Sequence, residues 1–242
     1  MKCLLFAAGR GTRLKPLTDT MPKALVPVSG KPLLWHTLCR LREAGATEVV
    51  VNVHHFGEQI IDYLAQHDFG IHVRVSDERD HLLDTGGGLR QALSLFSKGE
   101  EPILIHNVDI LSNAPLAEFY AQHKDADAAL MVSHRDTTRY LLFDDAMRLR
   151  AWTNIKTGEV RTPFSDIRPE QLTKYAFSGI HLVSPRLMSL LETFPDVFPI
   201  MDFYLQTADR IVIRGVAQQN LRLLDVGKQD TLAAAEDFIL TL

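Results

Sequence analysis

The sequence predicts an α/β fold: a Rossmann-like, mostly parallel mixed sheet flanked by helices on both faces, with a small β-rich insertion at about residues 136–176. Three observations carry this. Up to about residue 135, short apolar runs alternate with stretches whose apolar residues recur at helical spacing, the order that builds a parallel sheet covered on both sides. Beyond that point short strand-like runs separated by turns replace the rhythm. No Gly/Ser/Pro-rich linker interrupts the chain, so residues 1–242 read as one domain.

The elements follow in order. "KCLLFAA" is a buried strand. "PLLWHTLCRLREAG" has helical spacing and ends at Gly45, a natural C-terminal cap. "EVVVNV" is the second strand, "GEQIIDYLAQH" a helix, and "IHVRVS" alternates with period two. "GGGLRQALSLF" is a helix that begins on glycines, "PILIHNVD" a buried strand with a polar end, "PLAEFYAQHK" a helix and "DAALMVSH" a strand. The insertion holds a meander of "RYLLFDD", "RLRAWTN" and "GEVRT", then "DIRPEQLTKY" as loop. "AFSGIHLVS" returns as a strand, and "PRLMSLLETF" and "PIMDFYLQTADR" are helices. "IVIRGVA" and "LRLLDVG" are expected to pair as late strands before a closing helix, "KQDTLAAAEDFILTL".

Composition narrows the function classes. The chain has 242 residues, 46% of them hydrophobic, enough for a substantial core. The formal net charge of −4 gives no general basic surface, so neither nucleic acid nor membrane is an expected partner. Cys3 and Cys39 lack metal-site spacing and read as buried apolar residues. No run approaches the roughly 20 apolar residues of a membrane span, and the N-terminal apolar run is too short for a signal peptide. The expected setting is cytoplasmic and reducing.

The chemistry concentrates in loops. "AAGRGTR" follows the first strand. Gly9 and Gly11 allow close approach of backbone to a ligand, Arg13 offers a planar fork suited to phosphate, and Lys23 adds a point charge. A dinucleotide fold would need a third glycine where Leu14 stands and a helix where "KPLTDTMPK" places prolines; a Walker loop would need G-K-[ST]. A bare G-x-G is as often a tight turn. Glycines plus two cations fit a nucleoside triphosphate cradle. Asp109 and Asp225 each follow an apolar strand, where ligands of open α/β sheets bind, though an Asp there also serves as a turn or helix cap. Two such carboxylates suit one hard cation. "DTGGGLRQAL" puts Gly86 to Gly88 at a helix start, a place for an anion or a flat base. His54 and His55 point apart on an extended chain and make a poor metal pair.

"LLFAAGRGTRLKPLTDTMPKALVPVSGKPLL" resembles the signature of the sugar-1-phosphate nucleotidyltransferases, densely over about 30 residues. Asn107-Val108-Asp109 resembles the family's N-G-D motif with Val108 for glycine. "LLDVGKQ" resembles its W-x-D-V-G-T-P motif with Leu223 for tryptophan, and Asp84-Thr85-Gly86-Gly87-Gly88 its E-T-G-G-G form. The resemblance implies a nucleotide-diphospho-sugar transferase fold, Arg13 and Lys23 as catalytic cations, and Mg²⁺ held by Asp109 and Asp225. It implies nucleotide contacts from Ala7, Ala8, Gly9, Gly11, Thr12, Asn52, Thr85, Gly86 and Gly87, and sugar contacts from Asn107, Asn154, Gly179 and Asp202. The substrates would be a nucleoside triphosphate and a sugar 1-phosphate, in a monomer or homodimer. Ala8 and the triple glycine favour the muramate-type uridylyltransferases, which would use UTP and N-acetylmuramate 1-phosphate in peptidoglycan sugar recycling. Glucose 1-phosphate uridylyl or thymidylyl transfer, and mannose or heptose guanylyl transfer, stand next. Two other classes stay open: a dinucleotide oxidoreductase, and a silent regulatory subunit, which would have lost one of Arg13, Lys23, Asp109 or Asp225.

Overall fold

A computed structural model of the chain describes residues 1–242. It opens with β1 (Lys2–Phe6), then the glycine loop and three short 3₁₀ turns between Thr12 and Leu25. A small ribbon follows, β2 (Pro27–Val28) with β3 (Lys31–Pro32). Next come α1 (Leu33–Glu43), β4 (Glu48–Val53), α2 (Gly57–Gln66), β5 (His72–Asp77), α3 (Asp84–Leu93) and β6 (Ile103–Asn107). A three-residue strand unseen in the sequence, β7 (Ile110–Ser112), precedes α4 (Leu116–His123) and β8 (Ala128–Ser133). The meander is β9 (Arg139–Phe143), β10 (Leu149–Asn154) and β11 (Glu159–Arg161). β12 (Thr173–Val183), α5 (Met188–Leu191), α6 (Ile200–Thr207), β13 (Ile213–Ala217), β14 (Leu223–Asp225) and α7 (Gln229–Ile239) complete the chain.

The main sheet runs β11-β10-β9-β12-β6-β1-β4-β5, with β8 on the other side of β12 and β13 beyond β8. Pairing is parallel at β6–β1, β1–β4, β4–β5 and β8–β13, and antiparallel around β12 and through the meander. The central strands alternate between two cores. Cys3, Leu5, Val49 and Val51 face one, with Leu34 and Leu38 of α1 and Phe119 of α4. Leu4, Phe6, Val50 and Ile105 face the other, with Leu89 of α3 and Phe203 of α6. Period-two alternation with both sets apolar is what a strand covered on two faces requires. α1 ends as its sequence signals: Gly45 takes φ 93, its N–H reaches the Arg42 carbonyl at 2.9 Å, and the Ala46 N–H reaches Leu41.

Two sequence expectations change. "IVIRGVA" and "LRLLDVG" do not pair with each other: β13 lies parallel to β8, and β14 pairs antiparallel with β7. Each is short and apolar, so local pattern leaves its partner open. "DIRPEQLTKY" holds one 3₁₀ turn, and its last three residues already belong to β12, which pairs with β9 and joins the meander to the main sheet. No helix is long and apolar enough to cross a membrane.

Candidate active site

β1 and β6 run parallel with Phe6 beside Asn107, and β4 brings Asn52 to the other side of Phe6. Their C-terminal ends therefore open into one crevice, of about 500 Å³. Ala7, Ala8, Gly9, Gly11, Thr12, Arg13, Lys23, Asn52, Thr85, Asn107 and Asp109 line it. The structure thus gathers most of the residues singled out in the sequence, from loops more than eighty positions apart.

The glycine loop is held from behind. Gly11 takes φ 63, and a Cβ there would lie 2.8 Å from Thr18 Cγ2 and 3.0 Å from Lys23 Cβ. The Thr18 hydroxyl donates to the Gly11 carbonyl at 2.8 Å. Glycine is needed at 11 to let the two segments pack. Gly9 differs: a Cβ there meets nothing within 4 Å, so that side of the loop faces open cavity. Asn52 is 3% exposed, and its Oδ1 accepts from the N–H groups of Ala7 at 2.7 Å and Ala8 at 3.2 Å.

The charged end forms where two turns meet. Lys23, 7% exposed, is ion-paired with Asp109. β14 sets Asp225 opposite Ile110, and the Val226 N–H donates to the Asp109 carbonyl at 2.8 Å, so the two aspartates stand side by side. Burial, then the Asp109 carboxylate, push the Asp225 carboxyl above its ordinary range; Lys23, Arg13 and Arg135 act against them. Asp225 Oδ1 is buried with no hydrogen-bond partner. A Cβ on Gly227 would fall 2.6 Å from that oxygen and 2.7 Å from Arg13 Nη2, so the absent side chain keeps a space between cation and carboxylate. Val108 supports the turn from the core side. It is buried and has no positive φ, its N–H donates to Phe6, and its carbonyl accepts from Thr37. This backbone path needs no glycine at 108.

Several candidates sit elsewhere. Gly86 and Gly87 do not line the cavity: both N–H groups point to the Phe198 carbonyl, and Cβ atoms there would strike the Phe198 ring and the Asp196 carbonyl oxygen. These glycines pack α3 against the chain before α6. Thr85 lines the crevice, but its hydroxyl also accepts the first N–H of α6, from Ile200 at 2.9 Å. Gly179, at φ 75 in the bulge of β12, lets that strand approach Asn107, whose Nδ2 would be 2.8 Å from a Cβ. Asn154 closes the β10–β11 turn, accepting from the Lys156 N–H at 3.1 Å; Asp202 pairs with Arg161 at 2.6 Å. Asp225 is not among the lining residues, whereas Gly227, two positions on, is.

The sequence reading passed over Glu78, which is 2% exposed and lines the crevice one residue past β5. Its position was the available signal: a polar residue where a parallel strand ends, as with Asn52 and Asp109.

A family model described as Nucleotidyl transferase matches residues 2–140. An N-acetylmuramate alpha-1-phosphate uridylyltransferase of Neisseria meningitidis is 48% identical over 115 residues, about half of each chain. One of Caulobacter vibrioides is 31% identical over 96% of this chain and 94% of its own. Among solved structures, a putative glucose-1-phosphate thymidylyltransferase from Bacillus anthracis superposes with a TM-score of 0.81 at 17% identity, covering 100% of this chain and 96% of its own, which speaks to the fold.

Proposed function

The chain belongs to the nucleotidyl transferase family, and on that premise we propose that it joins a nucleoside triphosphate to a sugar 1-phosphate. UTP and N-acetylmuramate 1-phosphate are the proposed pair. The observation that carries the reaction is the meeting of Arg13, Lys23 and Asp109 in one crevice at the strand ends, with Asp225 beside Asp109. The substrate pair is supported by the two uridylyltransferase relatives.

In this reaction an oxygen of the sugar phosphate attacks the α-phosphorus, a new P–O bond forms, and the bond to pyrophosphate breaks. The nucleophile is already an anion, so no general base is needed. Catalysis becomes positioning and charge neutralisation. Arg13 is assigned to the leaving pyrophosphate and Lys23 to the phosphate undergoing substitution. Gly9 and Gly11 shape the loop around the triphosphate. Asn107, with Gly179 behind it, stands on the sugar side.

The residues fit a divalent cation. Asp109 and Asp225 are adjacent oxygen donors, and the unpartnered buried Asp225 Oδ1 is an acceptor in want of a positive partner. Phosphate oxygens and water would complete the set, as Mg²⁺ prefers. When bound, such an ion would neutralise charge building on the phosphates.

The test is pyrophosphate release with Mg²⁺, each nucleoside triphosphate being paired with a panel of sugar 1-phosphates. Release confined to UTP with N-acetylmuramate 1-phosphate is the expected result. Release with another pair keeps the reaction and replaces the substrates. No release with any pair sinks the reaction and leaves the silent-subunit reading.

A further inference from the structure

We infer that Glu78 is a positioning residue for the nucleotide loop, acting through Asn52, and that Gly88 exists to make room for it. The inference rests on the nucleotidyl-transfer reading. It assigns work to two residues outside the cations and carboxylates of the reaction.

Four hydrogen bonds form a continuous relay. The Ala7 and Ala8 N–H groups donate to Asn52 Oδ1. Asn52 Nδ2 donates to Glu78 Oε1 at 2.9 Å, and Glu78 Oε2 accepts from the Leu83 N–H at 3.1 Å. Backbone amides only donate, so Asn52 can face only this way, and Glu78 must accept on both oxygens. An ionised carboxylate does this; a glutamine cannot, because its NH₂ would face a donor. One end of the relay fixes the first residues of the glycine loop. The other fixes the turn that starts α3, whose Thr85 lines the same crevice. Burial pushes the Glu78 carboxyl up, against the bonds from Asn52 and Leu83. Keeping an anion in such a place is costly, and the hydrogen bonds from Asn52 and Leu83 offset part of that cost.

Gly88 gives the independent sign. It does not line the cavity, yet a Cβ on it would lie 2.8 Å from Glu78 Oε1 and 3.1 Å from Asn52 Nδ2. The third glycine of the run thus clears space for the relay, while the other two clear space for Phe198 and Asp196.

The experiment uses the full chain as wild type, Glu78→Gln, Gly88→Ala, Asn52→Ala and Asn52→Ala/Glu78→Gln. Calorimetric titration with UTP and Mg²⁺ measures binding, pyrophosphate release measures turnover, and amide hydrogen exchange without nucleotide follows residues 6–14. Glu78→Gln and Gly88→Ala should each weaken UTP about tenfold, the order expected for one charge-assisted hydrogen bond. They should leave the KM for sugar 1-phosphate within about twofold and speed exchange in the loop. The double variant should be no weaker than Asn52→Ala by more than about twofold, since both act on one path. Unchanged UTP binding and loop exchange in Glu78→Gln would overturn the inference. So would additive losses, or a changed ratio of UTP to CTP affinity, which would mean that Glu78 touches the base itself. Wild-type binding without turnover counts against the reaction only. Where wild type binds no UTP, the loop exchange alone decides.

Discussion

The same methyl group added at Gly9 and at Gly86 should give opposite results. At Gly9 a Cβ meets nothing within 4 Å, and the residue is not held at positive φ, so the folded chain accepts alanine. Its stability should stay within about 0.5 kcal/mol of wild type. The methyl would stand in the crevice where a phosphate is proposed, and a displacement of about 1 Å there costs on the order of a hundredfold in rate. At Gly86 the Cβ would crowd three atoms of the buried Phe198 ring, none farther than 2.8 Å, where carbon–carbon contact needs about 3.5 Å or more. Overpacking of this kind costs about 3 kcal/mol at the upper end, and alanine returns about 1 kcal/mol of helix propensity. The net loss of about 2 kcal/mol lowers the melting temperature by roughly 4 to 8 °C in a chain of this size. Thermal melts and pyrophosphate release at saturating substrate read both effects. Wild-type kinetics in Gly9→Ala would remove the loop from nucleotide binding. Wild-type melting in Gly86→Ala would refute the packing role assigned to that glycine.

Two further outcomes follow from the charged and buried groups. Asp225→Asn should stabilise the chain without metal, because it removes a buried carboxylate held above its ordinary range by burial and by Asp109, and it should lower turnover by at least about a hundredfold; Mg²⁺-dependent stabilisation in thermal melts should vanish with it, and an active Asp225→Asn enzyme would exclude the residue from the reaction. Burial holds the imidazole of His106 down at about 4 and that of His181 at about 3, so the unfolded chain binds more protons than the native one below pH 6.5. Native stability should therefore fall with acid from pH 6.5 toward 4, by up to about 1.4 kcal/mol per pH unit for each histidine, and denaturant melts of His181→Gln should show a shallower decline.

What the sequence disclosed was what is written locally. The glycine loop, Arg13 and Lys23 lie within 23 residues, and the polar ends of "EVVVNV" and "PILIHNVD" stand where parallel strands stop. Strand alternation and the Gly45 cap follow from short-range rules, and the structure keeps them. What stayed hidden depends on distant partners. Asp225 meets Asp109 only because β14 pairs with β7, and β7 is three residues long. The glycines at 86 and 87 read as a ligand cradle until Phe198 and Asp196 arrive from more than a hundred positions away. Asn154 and Asp202 carry sugar-binding chemistry in type, but a turn and Arg161 occupy them. Glu78 showed only as a polar residue at a strand end, because its work lies in the Asn52 amide and the Leu83 N–H, neither implied by its neighbours.

The balance of charge explains why a strand is followed by such a loop rather than by a helix. A helix N-terminus offers a few amides and a partial positive charge. That suits one phosphate, but a triphosphate carries more charge than it can match. Here Arg13 and Lys23 arrive on short 3₁₀ turns, Lys23 paired with Asp109 and Arg13 facing Asp225 across the space left by Gly227. At this end of the crevice the two cations are matched by the two carboxylates. Added triphosphate alone would meet repulsion from Asp109 and Asp225, whereas a divalent cation arriving with it would turn both carboxylates from repelling groups into ligands and offset part of the triphosphate charge. On the proposed reaction the site is therefore complementary to the metal–nucleotide pair rather than to either part. The glycines then have two kinds of work: Gly9 and Gly227 leave space for that pair, and Gly11, Gly86, Gly87 and Gly88 let the supporting chain close tightly behind it.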